Sequence, residues 1–412
     1  MMRRHLLVAY IGASALLALA ACSGAAGSGS GGASGGTIKV GVLADVTGAL
    51  ATGHDVEDAV KARFALQNAE GGVDGKKLSF VVADTTSTFP GALSAAQTLV
   101  EHDHVFGVIG GTEAVQGAVN YLKEQNVPLM GYYPDSPDFG VPSFTNMFSV
   151  DGSGNPNYLA VTTFGKFFKS QGVTSLAGVS YADAAGTGGL KATLESAQSV
   201  GLKVAYENNT LPIGTTDVEA LALSIKASGA NGIYLPVLEN TSIALLTQLK
   251  EDGVHLKAAL LIVGYGEDTL GSPPAVSAAQ GDDFLTIFQP AEANTPATRQ
   301  MVAALRKYAG ETGDPYTFDY QGWAMASLFI RGLQAAGSNP TQGSFISGLR
   351  KVTDWNDGGL LAEPVDFKAF GNLGVTVGPG NCFYVAKLEG NAFRAITSAN
   401  PVCGASTGQT VG

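Results

Sequence analysis

Charged residues are scarce in this chain of 412 residues, at 14% against about 25% in an average globular protein. Lysine and arginine together number 24, against 35 aspartates and glutamates, so the net charge is −11. A chain this poor in positive charge lacks the basic surface that binds nucleic acid or anionic lipid headgroups. We therefore expect no nucleic-acid partner.

Other shortages restrict the chemistry. Five histidines and three cysteines leave little material for histidine-based catalysis or a zinc site, and two tryptophans argue against a sugar site of stacked indoles. The sequence also lacks a His-Glu-x-x-His helix and a phosphate loop ending in Gly-Lys-Ser or Gly-Lys-Thr. A Gly-x-Ser-x-Gly pattern at 32–36 has no strand before it, which indicates low complexity rather than a nucleophile. We expect no enzymatic activity, no cofactor and no metal.

The first residues have the composition of an export signal. Arg3 and Arg4 precede an apolar run from 6 to 19, too short to span a bilayer comfortably as a permanent helix. Leu-Ala-Ala-Cys at 19–22 ends this run and resembles the lipobox of bacterial lipoproteins, whose cysteine is acylated. We predict a signal peptide at 1–21, a lipidated Cys22, and a location on the outer face of the cell membrane. The alternative is an ordinary cleavage site beside a chance cysteine.

Behind Cys22, residues up to 36 are only serine, glycine and alanine, which predicts a flexible tether over 22–36. Cys382 and Cys403 remain as a pair near the C-terminus. In an oxidising compartment we expect them to form one disulfide that closes a loop of about 20 residues. Two separate buried thiols are the alternative.

From residue 38 onward, short apolar segments alternate with segments of helical periodicity. Ile38–Ala44, Leu78–Ala83 and Val105–Ile109 read as strands, and Val56–Ala69 places its apolar residues on one helical face. This alternation is typical of a doubly wound parallel α/β sheet.

The alternation breaks at a turn-rich segment, Asp151–Pro156, and again after Phe288. We therefore predict two α/β lobes, an N-terminal lobe of 37–150 and 289–362 and a C-terminal lobe of 151–288 and 363–412. A third crossing falls within 358–380. In this interpretation Tyr158–Lys169 is a helix, and Cys382–Leu388 with Phe393–Thr397 forms a terminal hairpin.

Ligands of open parallel sheets bind beyond the carboxyl ends of the strands, where loops and helix N-termini converge. The loop after the third strand holds Gly111, Thr112 and Glu113, whose amides and hydroxyl suit an anionic or hydrogen-bonding ligand group. The alternative is structural, with glycine making the turn and Thr112 capping the helix. Other strand-end loops supply further candidates, each of which also reads as a solvated connection: Thr52, Tyr133 and Asp135 in the first lobe, and Tyr181, Glu239 and Tyr265 in the second.

Several short sequence motifs are distributed along the chain. They are Ile-Lys-Val-Gly-Val-Leu at 38–43, Thr-Gly at 47–48, Val-Ile-Gly-Gly at 108–111, Gln-Asn-Val-Pro-Leu at 125–129 and Asp-Pro-Tyr at 314–316. The most specific is Asn-x-x-Gly-Gly-x-x-Gly-x-x-Leu at 68–78. Together they resemble the Leu/Ile/Val-binding protein family of bacterial ABC importers.

The resemblance implies two lobes joined by three crossing strands, which agrees with the lobes derived above. It also implies a receptor that closes on a small polar solute, an amino acid or an amide-like relative, and docks on a membrane permease with its ATPase. We expect it to act as a monomer. The alternatives are a ligand sensor for a membrane signalling partner and a lipid-anchored hydrolase.

The family pattern also implies roles for single residues. Thr112 matches the place that gives a hydroxyl to the ligand carboxylate. The chain departs elsewhere, with Asp135 where a hydroxyl or small residue is common and Glu239 where an aromatic residue stands. Ala185 replaces a tyrosine that usually covers the ligand, and Glu267 lies one position from the acid that binds an ammonium group.

Overall fold

The computed structural model describes residues 36–49, 52–132, 136–152, 158–182, 184–369, 381–396 and 401–411. The predicted signal peptide, Cys22 and all of the tether except Gly36 lie outside these ranges. Within them, no helix combines the length and the apolar composition that a bilayer crossing needs.

The first lobe opens with a five-stranded sheet whose neighbouring strands are all parallel. Its order is β2-β1-β3-β4-β5. Every residue of β3 is buried, as expected for a central strand covered by helices on both faces. The elements are β1 (Thr37–Ala44), α1 (Gly53–Ala69), β2 (Lys77–Asp84), α2 (Phe89–Gln97), β3 (Gly107–Gly111), α3 (Val119–Glu124), β4 (Leu129–Gly131) and β5 (Met147–Ser149).

The second lobe is built around a seven-strand path, β13-β12-β11-β10-β9-β7-β8. The strands from β7 to β11 pair in parallel, and β12 runs antiparallel to β11 and β13. Before the chain returns to the first lobe, the elements are β6 (Tyr158–Val161), α4 (Thr163–Ser170), β7 (Ser175–Tyr181), α5 (Ala184–Ser199), β8 (Lys203–Leu211), α6 (Glu219–Ser228), β9 (Gly232–Leu235), α7 (Glu239–Glu251), β10 (Ala258–Leu261), α8 (Glu267–Gly271), α9 (Pro273–Ala278) and β11 (Asp283–Thr286).

The chain then adds helices α10 (Pro296–Ala304), α11 (Thr317–Ala336) and α12 (Gln342–Leu349) to the first lobe. Helix α11 is apolar nearly all round and lies against α1, where Gly322 approaches the backbone of Val56 too closely for any side chain. Arg350 donates to the carbonyls of Phe144 and Met147, which ties the end of α12 to β5.

The last elements complete the second lobe: β12 (Cys382–Glu389), β13 (Ala392–Ala395), β14 (Val402–Cys403) and β15 (Ser406–Val411). Cys382 and Cys403 form the predicted disulfide and stand opposite each other in the β12–β14 pair. The hairpin prediction is confirmed by the pairing of β12 with β13.

The chain therefore passes between the lobes three times: between β5 and β6, between β11 and α10, and before β12. At the second passage, the Gln289 amide donates to the Leu360 carbonyl at 2.7 Å, and Phe288 bridges to Leu361. Phe367 packs on Phe148 of the first-lobe sheet, with ring centroids 5.7 Å apart. The predicted fold class, two parallel-sheet α/β lobes, is confirmed.

One local prediction is wrong. The segment read as a helix from Tyr158 to Lys169 begins as strand β6, and α4 starts only at Thr163. The reason lies far along the chain, because β6 pairs antiparallel with β15 at the C-terminus. That partner strand is rich in Ser, Thr and Gly and gives no apolar signal of its own.

Candidate functional site

Both sheets reverse their winding direction next to the cleft. In the first sheet β1 lies between β2 and β3, so the carboxyl ends of β1 and β3 diverge into loops on opposite sides, and Ala44 pairs with Gly111. In the second sheet β7 and β9 form the corresponding pair. Such switch points are where open α/β sheets bind ligands.

The first-lobe switch point holds a network of buried hydroxyls around one carboxylate. The Thr112 hydroxyl donates to Asp45 Oδ1 at 2.8 Å and accepts from the Ala114 amide at 2.9 Å. The Thr85 hydroxyl donates to the same carboxylate oxygen. Thr112 thus caps the turn that starts at Glu113, as the structural alternative predicted, and its hydroxyl hydrogen is used in the hydrogen bond to Asp45.

Asp45 is a functional candidate that the sequence reasoning missed. Only 1% of its surface is exposed to solvent. Burial raises the pKa of Asp45, while the Thr85 and Thr112 hydroxyls work against that rise. The available signal was its place directly after β1, at the same sheet edge as Thr112.

A cavity opens at this point. Four of the predicted site residues line it, together with three that were not predicted. The lining consists of Thr52, Gly111, Thr112 and Glu113, joined by Leu238, Phe318 and Gln321. Phe318 and Gln321 stand three positions apart at the start of α11 and share one face of that helix.

The second lobe reaches the cavity through Leu238, which precedes α7. Tyr181, at the end of β7, fixes this wall, because its hydroxyl accepts from the Leu238 amide at 3.0 Å and lies 2.8 Å from the Thr241 hydroxyl. The Thr241 hydroxyl donates its hydrogen bond to the Thr215 carbonyl, so in the contact between Tyr181 and Thr241 the donor is the Tyr181 hydroxyl. Burial raises the pKa of Tyr181, and the negative charge of Glu113 on the opposite lobe raises it further.

The two lobes touch beside the cavity. The Glu267 amide donates to the Asp314 carbonyl at 3.1 Å, and the Tyr316 hydroxyl donates to Glu239 Oε2 at 3.4 Å. Glu239 also accepts from the Thr269 hydroxyl at 2.5 Å, so its carboxylate joins helix α8 of the second lobe to Tyr316 at the N-terminus of α11. These contacts join the two lobes beside the cavity.

The remaining predicted residues are placed differently. Tyr265 is 1% exposed and stands apart from the cavity lining, with its hydroxyl donating to Glu292 at 2.7 Å and accepting from the Ala291 amide at 2.9 Å. Tyr133 and Asp135 lie outside the described residues. Within the described ranges, no group of three or more His, Cys, Asp and Glu side chains is arranged to hold a metal ion.

Known proteins are similar to this chain in sequence. The profile of a family described as "Periplasmic binding protein" matches residues 37–392. The chain is 26% identical over 334 residues to Leu/Ile/Val-binding protein homolog 2 of Brucella abortus (strain 2308), covering 74% of this chain and 82% of that protein. It is 28% identical over 329 residues to homolog 7 of Brucella suis biovar 1, covering 76% and 77%.

Solved structures resemble it in fold. A leucine binding protein from Thermotoga maritima superposes with a TM-score of 0.70 at 16% identity, covering 87% of this chain and 97% of that one. An ABC transporter solute binding protein from R. palustris, in complex with benzoate, gives 0.69 at 16% identity, covering 92% and 99%. At these identities the likeness concerns the fold.

Proposed function

The chain belongs to the periplasmic binding protein family, and we propose that it is the substrate-binding component of an ABC transporter. In this role it captures a small polar solute between its lobes and delivers the solute to a membrane permease driven by an ATPase. The names of its Leu/Ile/Val-binding relatives favour an amino acid or an amino-acid-like or amide compound as the solute. The family comprises solute-binding proteins rather than enzymes.

The observation that carries this proposal is a cavity whose lining comes from both lobes. First-lobe strand-end loops supply Thr52 and Gly111–Glu113, and the second lobe supplies Leu238. The closed form is held beside the cavity by the contacts of Glu267 with Asp314 and of Tyr316 with Glu239. A solute that binds this form better than an open one shifts the population toward closure.

Thermal unfolding of the purified protein against a panel of amino acids, amides, polyamines and aromatic acids will identify binders. A solute at one hundred times its dissociation constant adds about 2.7 kcal/mol to the free energy of unfolding, which raises Tm by a few degrees. We expect each binder to reduce the radius of gyration in solution scattering, and non-binders to leave it unchanged. A binder that stabilises the protein without changing its shape would contradict the proposal.

The family is exported, and we propose that this chain is held at the outer face of the membrane by a lipid on Cys22, as a monomer. The basic start, apolar run and Leu-Ala-Ala-Cys at 19–22 support this proposal. When the producing cells are fed radiolabelled palmitate, we expect the label to be attached to the protein and to be absent from a Cys22→Ala variant. Equal labelling of the variant would refute acylation at Cys22.

A further inference from the structure

The charge of the cavity wall carries information about the solute. Of the described residues that line the cavity, Glu113 is the one with an ionisable side chain. Its negative charge acts across the cleft on Tyr181 of the opposite lobe. A charged group of the ligand therefore meets a carboxylate on the first-lobe wall.

A second carboxylate stands behind the same wall. The Thr112 hydroxyl donates a hydrogen bond to Asp45 Oδ1 at 2.8 Å and accepts one from the Ala114 amide at 2.9 Å. Thr112 is the group that a ligand carboxylate would be expected to use as a donor. Because this hydroxyl already donates its one hydrogen to Asp45, it can act toward a ligand only as an acceptor.

The rest of the lining suits a compact organic cation. Phe318 offers an aromatic ring, toward whose face a cation is attracted, and Leu238 offers an apolar contact. The Thr52 hydroxyl and the Gln321 side-chain carbonyl are acceptors for N–H groups.

Resting on the proposed function, we infer that the solute is a compact cation carrying an ammonium, guanidinium or amidinium group, and that free carboxylates are disfavoured. The N–H groups of the cation meet the Glu113 carboxylate, and its apolar body lies between Phe318 and Leu238. Benzoate, bound in one structural neighbour, is a carboxylate without a cationic group, so on this inference the chain selects the opposite charge from that protein.

Two sets of near-isosteric compounds test the inference by calorimetric titration of the purified protein. The first set is benzamidine, benzamide and benzoate, which are a cation, a neutral amide and a carboxylate on the same ring. The second set is isoamylamine, isovaleramide and isovalerate, which are the same three charge types on one branched chain. We expect the cation of at least one set to bind at least tenfold more tightly than its carboxylate. A carboxylate that binds as tightly as its cation in every set that shows binding, or failure of both cations to bind, overturns the inference.

Variants show whether Glu113 is responsible. Glu113→Gln should reduce the preference for the cation about tenfold, and Glu113→Lys should reverse it, a gain that unfolding cannot produce. Glu124→Gln removes the same charge from an exposed site at the end of α3 and should leave the preference unchanged. Equal behaviour of Glu113→Gln and Glu124→Gln would overturn the assignment. If the protein instead selects a carboxylate and still closes on it, the inference fails while the proposed function stands.

Discussion

Replacing Gly266 with alanine is expected to weaken solute binding by about ten- to a hundredfold. Gly266 belongs to the second lobe and has a φ of 129°, a region that residues with a side chain rarely adopt. A Cβ atom there would lie 2.6 Å from the Pro315 carbonyl oxygen and 2.6 Å from the Tyr316 Cα of the first lobe. The added methyl group would therefore hold the lobes apart where they now touch.

The loss of affinity follows from the population of the closed form. A solute that binds only when the lobes are closed has an apparent affinity proportional to the fraction of molecules in the closed form. The methyl group of Gly266→Ala acts as a wedge between the lobes and lowers that fraction. Titration with a solute found in the thermal panel gives the change in Kd, and scattering should show a larger radius of gyration at saturation.

Gly71 provides the matched control for this substitution. It also has a positive φ, 108°, but a Cβ there would have no atom within 4 Å. Gly71→Ala carries a comparable backbone strain without any contact between the lobes, so it should lower Tm and leave Kd unchanged. If Gly266→Ala binds the solute as tightly as Gly71→Ala, the wedge argument is wrong.

Removing the Cys382–Cys403 disulfide is expected to lower the free energy of unfolding by about 3 kcal/mol. The two cysteines are 21 positions apart, and the bond restricts that loop in the unfolded chain. In the folded protein it fastens β14 to the start of β12. Urea unfolding of a Cys382→Ala/Cys403→Ala double variant, without reductant, measures the loss.

Reductant supplies the control for this measurement. It should destabilise the wild-type protein by a similar amount and have no effect on the double variant. Equal stability of the oxidised wild-type protein and the variant would show that the bond contributes nothing beyond the pairing of β12 with β14.

The sequence predicted the part of the site that depends on short-range order. Thr52 and Gly111–Glu113 follow β1 and β3, and adjacent parallel strands bring their carboxyl ends together whatever the rest of the chain does. Phe318 and Gln321 had no such signal, since they reach the cavity from α11, a helix placed by tertiary packing on α1.

Long-range packing decides the direction of some side chains, and local patterns carry no information about it. Tyr265 follows β10, the position expected for a ligand contact, yet its ring packs on Tyr320 and Phe393 and its hydroxyl meets Glu292. The role of Thr112 turned on Asp45, whose burial cannot be read from a single acidic residue after a strand. In both cases the partner lies more than twenty residues away along the chain.

Contacts between segments that are far apart in the sequence determine when the chain can fold during its synthesis. Arg63 on α1 bonds to Ser327 on α11 across 264 residues, and Thr407 bonds to Ala160 across 247 residues. Neither lobe can therefore complete its native packing until the last third of the polypeptide has left the ribosome, and contacts between such distant segments form slowly. The chain therefore stays incompletely folded throughout its synthesis.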